Sequence, residues 1–380
     1  MMGDYVNDFG PFDGMTWLNC AHQGALPRVA AAEAEEAITW KRAPWNMTTD
    51  RFTLVPQRLR QALSQLVNAP IEEITLANSA SYGLHLLANG MPWKAGDEVL
   101  VMYGDFPSDI LPWLGLEAKG VKVRLIKPEH RVIQANDLLK NITPSTKLLC
   151  TTLVHSLSGY AVDVYALGEI CRARGITFFL NVSQALGARR LDMASMPIDA
   201  ITSVGFKWLC GPYGTGFCWM KPELRESLVY NQAYWLSMQT ADDLAKEPGV
   251  PVVRTDLAGR RYDIFGTANF FNFKPWTASI EYFLSRGLDN IAAHSHELVS
   301  ELIEGLDLKK YELLSPRSGP ARSTLVFVSH KEPARNNDIY EALRREKVFV
   351  AHRAGKLRFA PHLYNTREDI ARALSVLNSL

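Results

Sequence analysis

Apolar residues recur at every third or fourth position in "RVAAAEAEEAITWKR" (28–42) and "PQRLRQALSQLVN" (56–68), the spacing of amphipathic helices. From about residue 70 the period changes. The runs "EITLA", "DEVLVMY", "VKVRLI", "KLLCTTLV", "ITFFLN", "DAITSVG" and "GTGFCWM" are short and rich in strand-forming residues. Helix-like stretches such as "SYGLHLLANGM" and "VYALGEICRARG" separate several of them. This alternation predicts βαβ units around a mostly parallel sheet buried on both faces.

A long helix is predicted across "PWTASIEYFLSRGLDNIAAHSHELVSELIEGL" (275–306). After it come "STLVFVSH", the helix "NDIYEALRREK", the strands "VFVAH" and "KLRFA", and the closing helix "REDIARALSVLNS". An α+β unit thus follows an α/β one. The stretch 231–265, with Pro248, Pro251 and few periodic apolar residues, reads as an excursion or boundary. Internal repeats are absent.

At 380 residues the chain has room for one large α/β domain and a smaller one. Its net charge of +1 lacks the basic excess that draws proteins to nucleic acid or anionic membranes. Small substrates fit better. Five cysteines, an odd count without CxxC or Cys/His ligand spacing, fit small core residues in a reducing cytoplasm. "MMGDYVNDFGPFDG" has no secretory pattern and no apolar run reaches membrane-span length. The expectation is a cytoplasmic protein.

Ligands of open parallel sheets bind beyond the carboxyl ends of the strands, which directs attention to four strand ends. After "EITLA", Asn78, Ser79 and Ser81 can cap a helix, and the same helix start can hold an anion; both readings stand. After "DEVLVMY" comes Phe106, a residue more often core than stacking platform. Asn181 and Gln184 after "ITFFL" are ordinary turn chemistry. After "DAITSVG" stands Lys207, in "SVGFKWLCGPYGTGFCWM". An ammonium among aromatic and small apolar residues is costly unless paired or neutralised. Lys207 is therefore the edge of an ion-pair network or a lysine with a chemical role. "GPYGTG" is no phosphate loop, because its glycines lead into a strand-like run and the Lys precedes them. His294 and His296, two apart in a predicted helix, read as a solvated face rather than a metal pair.

Taken together, the small-residue helix start, the aromatic at a strand end, Asx-x-x-Gln, the Lys about two dozen residues later and a late Arg resemble a known family. It is the class V aminotransferase group of fold-type I pyridoxal-phosphate (PLP) enzymes, which includes cysteine desulfurases, isopenicillin-N-epimerase-like proteins, kynureninases and sulfoxide lyases. The resemblance runs from "WLNCAHQGALP" to "LRFAPHLYNTREDIARAL" and is most specific in "GFKWLCGPYGTGF" and "LRFAPHLYNTREDI". It implies an α/β fold with a mostly parallel seven-stranded sheet, helices on both faces and a smaller α+β C-terminal domain. Residues 1–30 would serve the small domain and active site, 31–265 the large cofactor domain, and 266–380 the small domain, beginning with a long linking helix.

The resemblance also implies roles. Lys207 looks like the Schiff-base lysine, and apolar surroundings that keep its amine neutral would help it. Ala80, Ser81 and Ser203 match the phosphate site, and Phe106 the position over the pyridine ring. Ser156 and Gln184 match the ring oxygen, and Asn181 the ring nitrogen. Arg358 matches the grip on the substrate α-carboxylate, with His22 facing substrate. Gly266 and Thr267 match a loop reaching the neighbouring subunit's phosphate, so a homodimer with shared sites is implied.

Three positions depart from the family pattern. Asn181 stands where an Asp usually keeps the pyridine nitrogen protonated, and a neutral amide does so only weakly. Slower or altered carbanion chemistry follows. Phe206 stands where desulfurases often carry His, and Val204 where Ser is frequent. "REKVFVAHRAGKLRF" lacks the nucleophilic Cys that precedes the late Arg in desulfurases, which disfavours a persulfide-forming reaction. The expected function is a PLP-dependent aminotransferase or carbon–sulfur lyase acting on an amino acid. An epimerase or a non-catalytic PLP-binding protein is the alternative.

Overall fold

In the computed structural model, which describes residues 5–247 and 249–380, all seven short apolar runs form strands of one sheet. Residues 1–4 of the opening segment and Pro248 lie outside the described residues. The strands are β1 (Ile74–Ala77), β2 (Glu98–Met102), β3 (Lys122–Ile126), β4 (Thr146–Thr152), β5 (Thr177–Asn181), β6 (Ala200–Val204) and β7 (Gly216–Met220). They lie in the order β1-β7-β6-β5-β4-β2-β3. Neighbours from β6 to β3 are parallel, whereas β7 runs antiparallel to both β6 and β1. Every residue of β1, β2, β6 and β7 is buried. Burial on both faces is why these runs are continuously apolar rather than alternating.

The two edges of the sheet are protected differently. Strand β3 is mostly exposed and carries Lys122 and Arg124, charges that discourage pairing with another chain. Strand β1 is covered by the irregular stretch that the sequence marks as an excursion. Ile264 N donates to Leu76 O at 2.9 Å, Leu76 N donates to Asp263 Oδ1 at 2.9 Å, and Thr75 Oγ1 donates to Gly259 O at 2.8 Å. Asp263 also meets the guanidinium of Arg60 at 2.5 Å, with both side chains buried. The stretch is irregular because it satisfies an edge strand with side chains as well as backbone.

Helix α1 (Arg28–Arg42) and helix α2 (Arg51–Val67) pack against the helix that opens the C-terminal part. The single long helix expected there is two helices, Phe270–Arg286 and Leu288–Glu304, separated by Gly287 at φ +82°. That left-handed conformation suits glycine and ends the first helix. A second sheet follows, with β8 (Tyr311–Leu313), β9 (Val326–His330), β10 (Ala351–Arg353) and β11 (Lys356–Phe359) in the order β10-β11-β9-β8, all antiparallel. "VFVAH" is split: Val348–Phe349 pairs in parallel with Thr16–Trp17, and Ala351 begins β10. His294 is buried, with Nε2 on Asn365 O at 3.0 Å. The solvated-face reading fails for it because its helix packs between the N- and C-terminal segments.

One apolar cluster joins three distant parts of the chain: Phe9 and Cys20, Trp208 and Phe283, and Leu325 and Tyr364. All five cysteines are buried and unbridged, and no helix among the described residues is long and apolar enough to cross a membrane. Replacing Asp263 by Ala would leave Arg60 buried without its counter-charge. A loss of about 3–5 kcal/mol is expected, checked by urea unfolding of the two proteins.

Candidate active site

A cavity of about 350 Å³ opens at the carboxyl ends of the strands. Helix α3 (Ala80–Gly90) begins at its wall after β1, and Phe106 and Asp109 follow β2. Ser156 comes from beyond β4, Asn181 from the end of β5, Gln184 from just beyond it, and Lys207 from the β6–β7 connection. The C-terminal part adds Arg353 and Arg358, and the N-terminal segment adds Ala21, His22 and Gln23. Residues from more than 300 positions apart therefore meet in one place, as the 339-residue separation of the bonded pair Asn19 and Arg358 shows.

Lys207 is held by its backbone. A Cβ at Gly24 would fall 2.1 Å from Lys207 O, and one at Gly187 would fall 2.3 Å from Trp208 O. Glycine is required at both positions. Gly24 N donates to Phe206 O at 2.8 Å. The amine lies 5.7 Å from the Phe106 ring centre and 5.8 Å from that of Phe206. Burial first, then the positive charge of Arg358, lowers its pKa to about 8, against the opposing pull of Asp109. At neutral pH about one amine in ten is then uncharged, compared with about one in three thousand for an ordinary lysine.

The polar floor of the cavity is tied to protein groups. Asn181 Nδ2 donates to Asp109 Oδ1 at 2.7 Å, and Ser183 N donates to Asn181 Oδ1 at 3.0 Å. Gln184 Nε2 donates to Ala21 O at 3.2 Å while its Oε1 accepts from Trp208 Nε1 at 2.9 Å. Arg358 is also buried, donates through Nη2 to Asn19 Oδ1 at 3.1 Å, and has an unpartnered Nε. Burial and the nearby Arg353 pull its pKa down to about 10. His22 is also pushed down, by burial and then by Arg353, Arg358 and Lys207. That part of the cavity calls for an anion.

At the helix start, Ser79 Oγ accepts from Tyr82 N at 3.3 Å while Ala80 and Ser81 line the cavity. Capping and a free anion-binding face thus coexist. Phe106 is half exposed on the cavity rather than packed in the core. Ser203 departs from expectation: it is buried off the cavity, and its hydroxyl donates to Val204 O at 3.2 Å. Successive strand residues face opposite sides, and Val204 is the one that reaches the cavity. Gly266 and Thr267 also stand away from this cavity. Gly266 N donates to Tyr234 Oη at 2.9 Å, and Thr267 lines a separate cavity beside Arg60. Asp109 and Arg353 were not singled out from the sequence. "GDFPSDI" places Asp109 three residues past Phe106, but nothing in that spacing shows that it meets Asn181.

The family model for aminotransferase class-V matches residues 25–372. The chain belongs to that family. As a class-V aminotransferase family member it is a PLP-dependent enzyme with the fold-type I architecture. It is 27% identical over 336 residues to a "Probable cysteine desulfurase" of Methanothermobacter thermautotrophicus, covering 84% of this chain and 82% of that one. It is 27% identical over 388 residues to isopenicillin N epimerase of Streptomyces clavuligerus, covering 96% and 94%. In fold it matches the cystine C–S lyase C-DES with TM-score 0.86 at 20% identity, covering 97% and 99%. It also matches the cysteine desulfurase of Thermococcus onnurineus NA1 with TM-score 0.84 at 20% identity, covering 100% and 98%.

The groups of this cavity fit PLP. There is an accessible amine, an aromatic face, a helix start, and a buried carboxyl oxygen of Asp109 without a partner. The pH dependence of Lys207 follows from its surroundings. Labelling of the cofactor-free protein by an amine-selective reagent, followed by mass spectrometry at Lys207, should rise through pH 8 and level above it. Arg358→Met removes a repelling cation and should move that midpoint upward.

Proposed function

We propose that the enzyme acts on an α-amino acid, by transamination or by elimination across a carbon–sulfur bond. One observation carries the reading: an amine of lowered pKa and a buried, partly unpartnered guanidinium face the same small cavity. In this reading Ala80 and Ser81 at the start of α3 hold the cofactor phosphate and Phe106 covers the ring. Ser156 and Gln184 bond the ring oxygen, and Asn181 stands at the ring nitrogen. When bound, PLP supplies an electron sink that makes the substrate Cα proton acidic. The neutral amine of Lys207 is the group that can bond a carbonyl and take up a proton at Cα. Arg358 grips the α-carboxylate through its planar fork. Arg353 adds positive charge at the mouth and favours substrates with a further anionic group. His22, its pKa lowered by burial and then by its cationic neighbours, faces the substrate without repelling an ammonium.

No cysteine lines the cavity among the described residues, and Cys20 is turned onto Lys207 O at 3.5 Å. This supports a reaction without a protein persulfide. The second reading is a cysteine desulfurase, favoured by the names of relatives in Methanothermobacter thermautotrophicus and Pyrococcus abyssi. Epimerisation has support from the Streptomyces clavuligerus relative. In this reading the protein is a homodimer in which the loop of Gly266 and Thr267 serves the neighbouring site.

A panel of amino acids and keto acids on the PLP-loaded protein separates these readings. Pyruvate and ammonia indicate elimination, and an exchanged keto acid indicates transamination. Alanine with protein-bound sulfur indicates the desulfurase, and inverted stereochemistry the epimerase. Lys207→Ala should abolish both turnover and the visible absorbance band of the bound cofactor. Arg358→Ala should raise KM about 10- to 150-fold, the equivalent of about 1.5–3 kcal/mol for a charge-assisted contact.

A further inference from the structure

Asp109 closes the short turn Pro107–Asp109 that follows Phe106. It is 1% exposed and lines the cavity beside Asn181, and its Oδ2 has no hydrogen-bond partner. Its neighbour Asp105 is fully engaged: it accepts from Phe106 N at 2.8 Å, Thr152 N at 3.1 Å and Thr151 Oγ1 at 3.4 Å. The two buried acids are therefore not equivalent. Asp105 is built into the turn, whereas Asp109 keeps one oxygen free at a ligand cavity.

Asn181 cannot present its amide at will. Ser183 N–H is a donor and fixes Oδ1 on itself, which obliges Nδ2 to face Asp109. The acid at 109 and the amide at 181 are matched, since carboxylates at both positions would repel at the observed 2.7 Å.

Resting on the reading that PLP occupies this cavity with its ring nitrogen toward Asn181, we propose that Asp109 is the acid that protonates and then pairs with that nitrogen. Asn181 is the positioning residue that holds the carboxyl in place. The proton balance closes within the site. The carboxyl proton moves to the ring nitrogen, leaving a carboxylate beside a pyridinium, and no further reactant takes part. Burial, then repulsion from Asp105, holds the Asp109 pKa well above the usual carboxylate range, which favours a carboxyl that carries a proton over one that has lost it. The other titratable groups facing Asp109 are Lys207 and the thiol of Cys150. Once the ring is cationic, the low dielectric that made the lone carboxylate unfavourable strengthens the ion pair.

The test is holoenzyme reconstituted with PLP carrying nitrogen-15 in its ring, read by the nitrogen chemical shift at neutral pH. The wild type should show the pyridinium position. Asp109→Asn should move the signal to the unprotonated position while the visible band of the cofactor on Lys207 persists. Combining Asp109→Asn with Asn181→Asp should restore the pyridinium signal. An unprotonated nitrogen in the wild type, or a pyridinium retained in Asp109→Asn, overturns the proposal alone. Absence of any cofactor band in the wild type overturns the cofactor reading and this proposal with it. Should the single variant fail to fold, the wild-type spectrum and the exchanged pair still decide, because the pair keeps one acid and one amide at the same contact.

Discussion

Two glycines fix the backbone that carries Lys207. Gly24 from the N-terminal segment and Gly187 from beyond β5 approach the carbonyls of Lys207 and Trp208 so closely that neither tolerates a Cβ. A lysine side chain is long and flexible, with about 2 kcal/mol of rotamer entropy. Restraining its root limits where its amine can go. The β6–β7 connection that carries it is anchored at both ends by fully buried strands. The amine therefore reports the position of the sheet itself.

Electrostatics then sets the charge behaviour of the cavity. Arg353, Arg358, Asp109 and Lys207 line it together, and the charges of Arg358 and Asp109 act on the Lys207 amine in opposite directions. For Lys207, Arg358, Asp105 and Asp109 burial is the largest influence, ahead of any neighbouring charge. The pattern is typical of sites where proton transfers are arranged in advance.

Much of this architecture was legible in the chain. Seven buried strands declare themselves as short apolar runs, because burial on two faces leaves no polar alternation to blur them. Lys207 stands out because an ammonium in such a run needs a reason. Side-chain direction at strand ends was harder to read: Ser203 and Val204 are adjacent, and only the pleat decides which one faces the cavity. Asp109 was hidden for another reason. Its meaning comes from Asn181, and the two are joined by the order of β2, β4 and β5 in the sheet rather than by any periodicity. The 231–265 stretch looked like a boundary because an edge satisfied partly by side chains leaves no repeating signature.

The bond from Asn19 to Arg358 has a consequence for how the protein comes into being. These residues lie 339 positions apart, and at about 5–20 residues per second on the ribosome Arg358 is added ~20–70 s after Asn19. For that interval the N-terminal segment has neither its strand partner at Val348–Phe349 nor the guanidinium it orients. The βαβ core can form from contacts close in sequence during that time, whereas the Arg358 part of the cavity waits for the last stretch of the nascent chain. Pairings this distant are slow to close. Competence is thus a late event in biogenesis, reached only after the scaffold already exists.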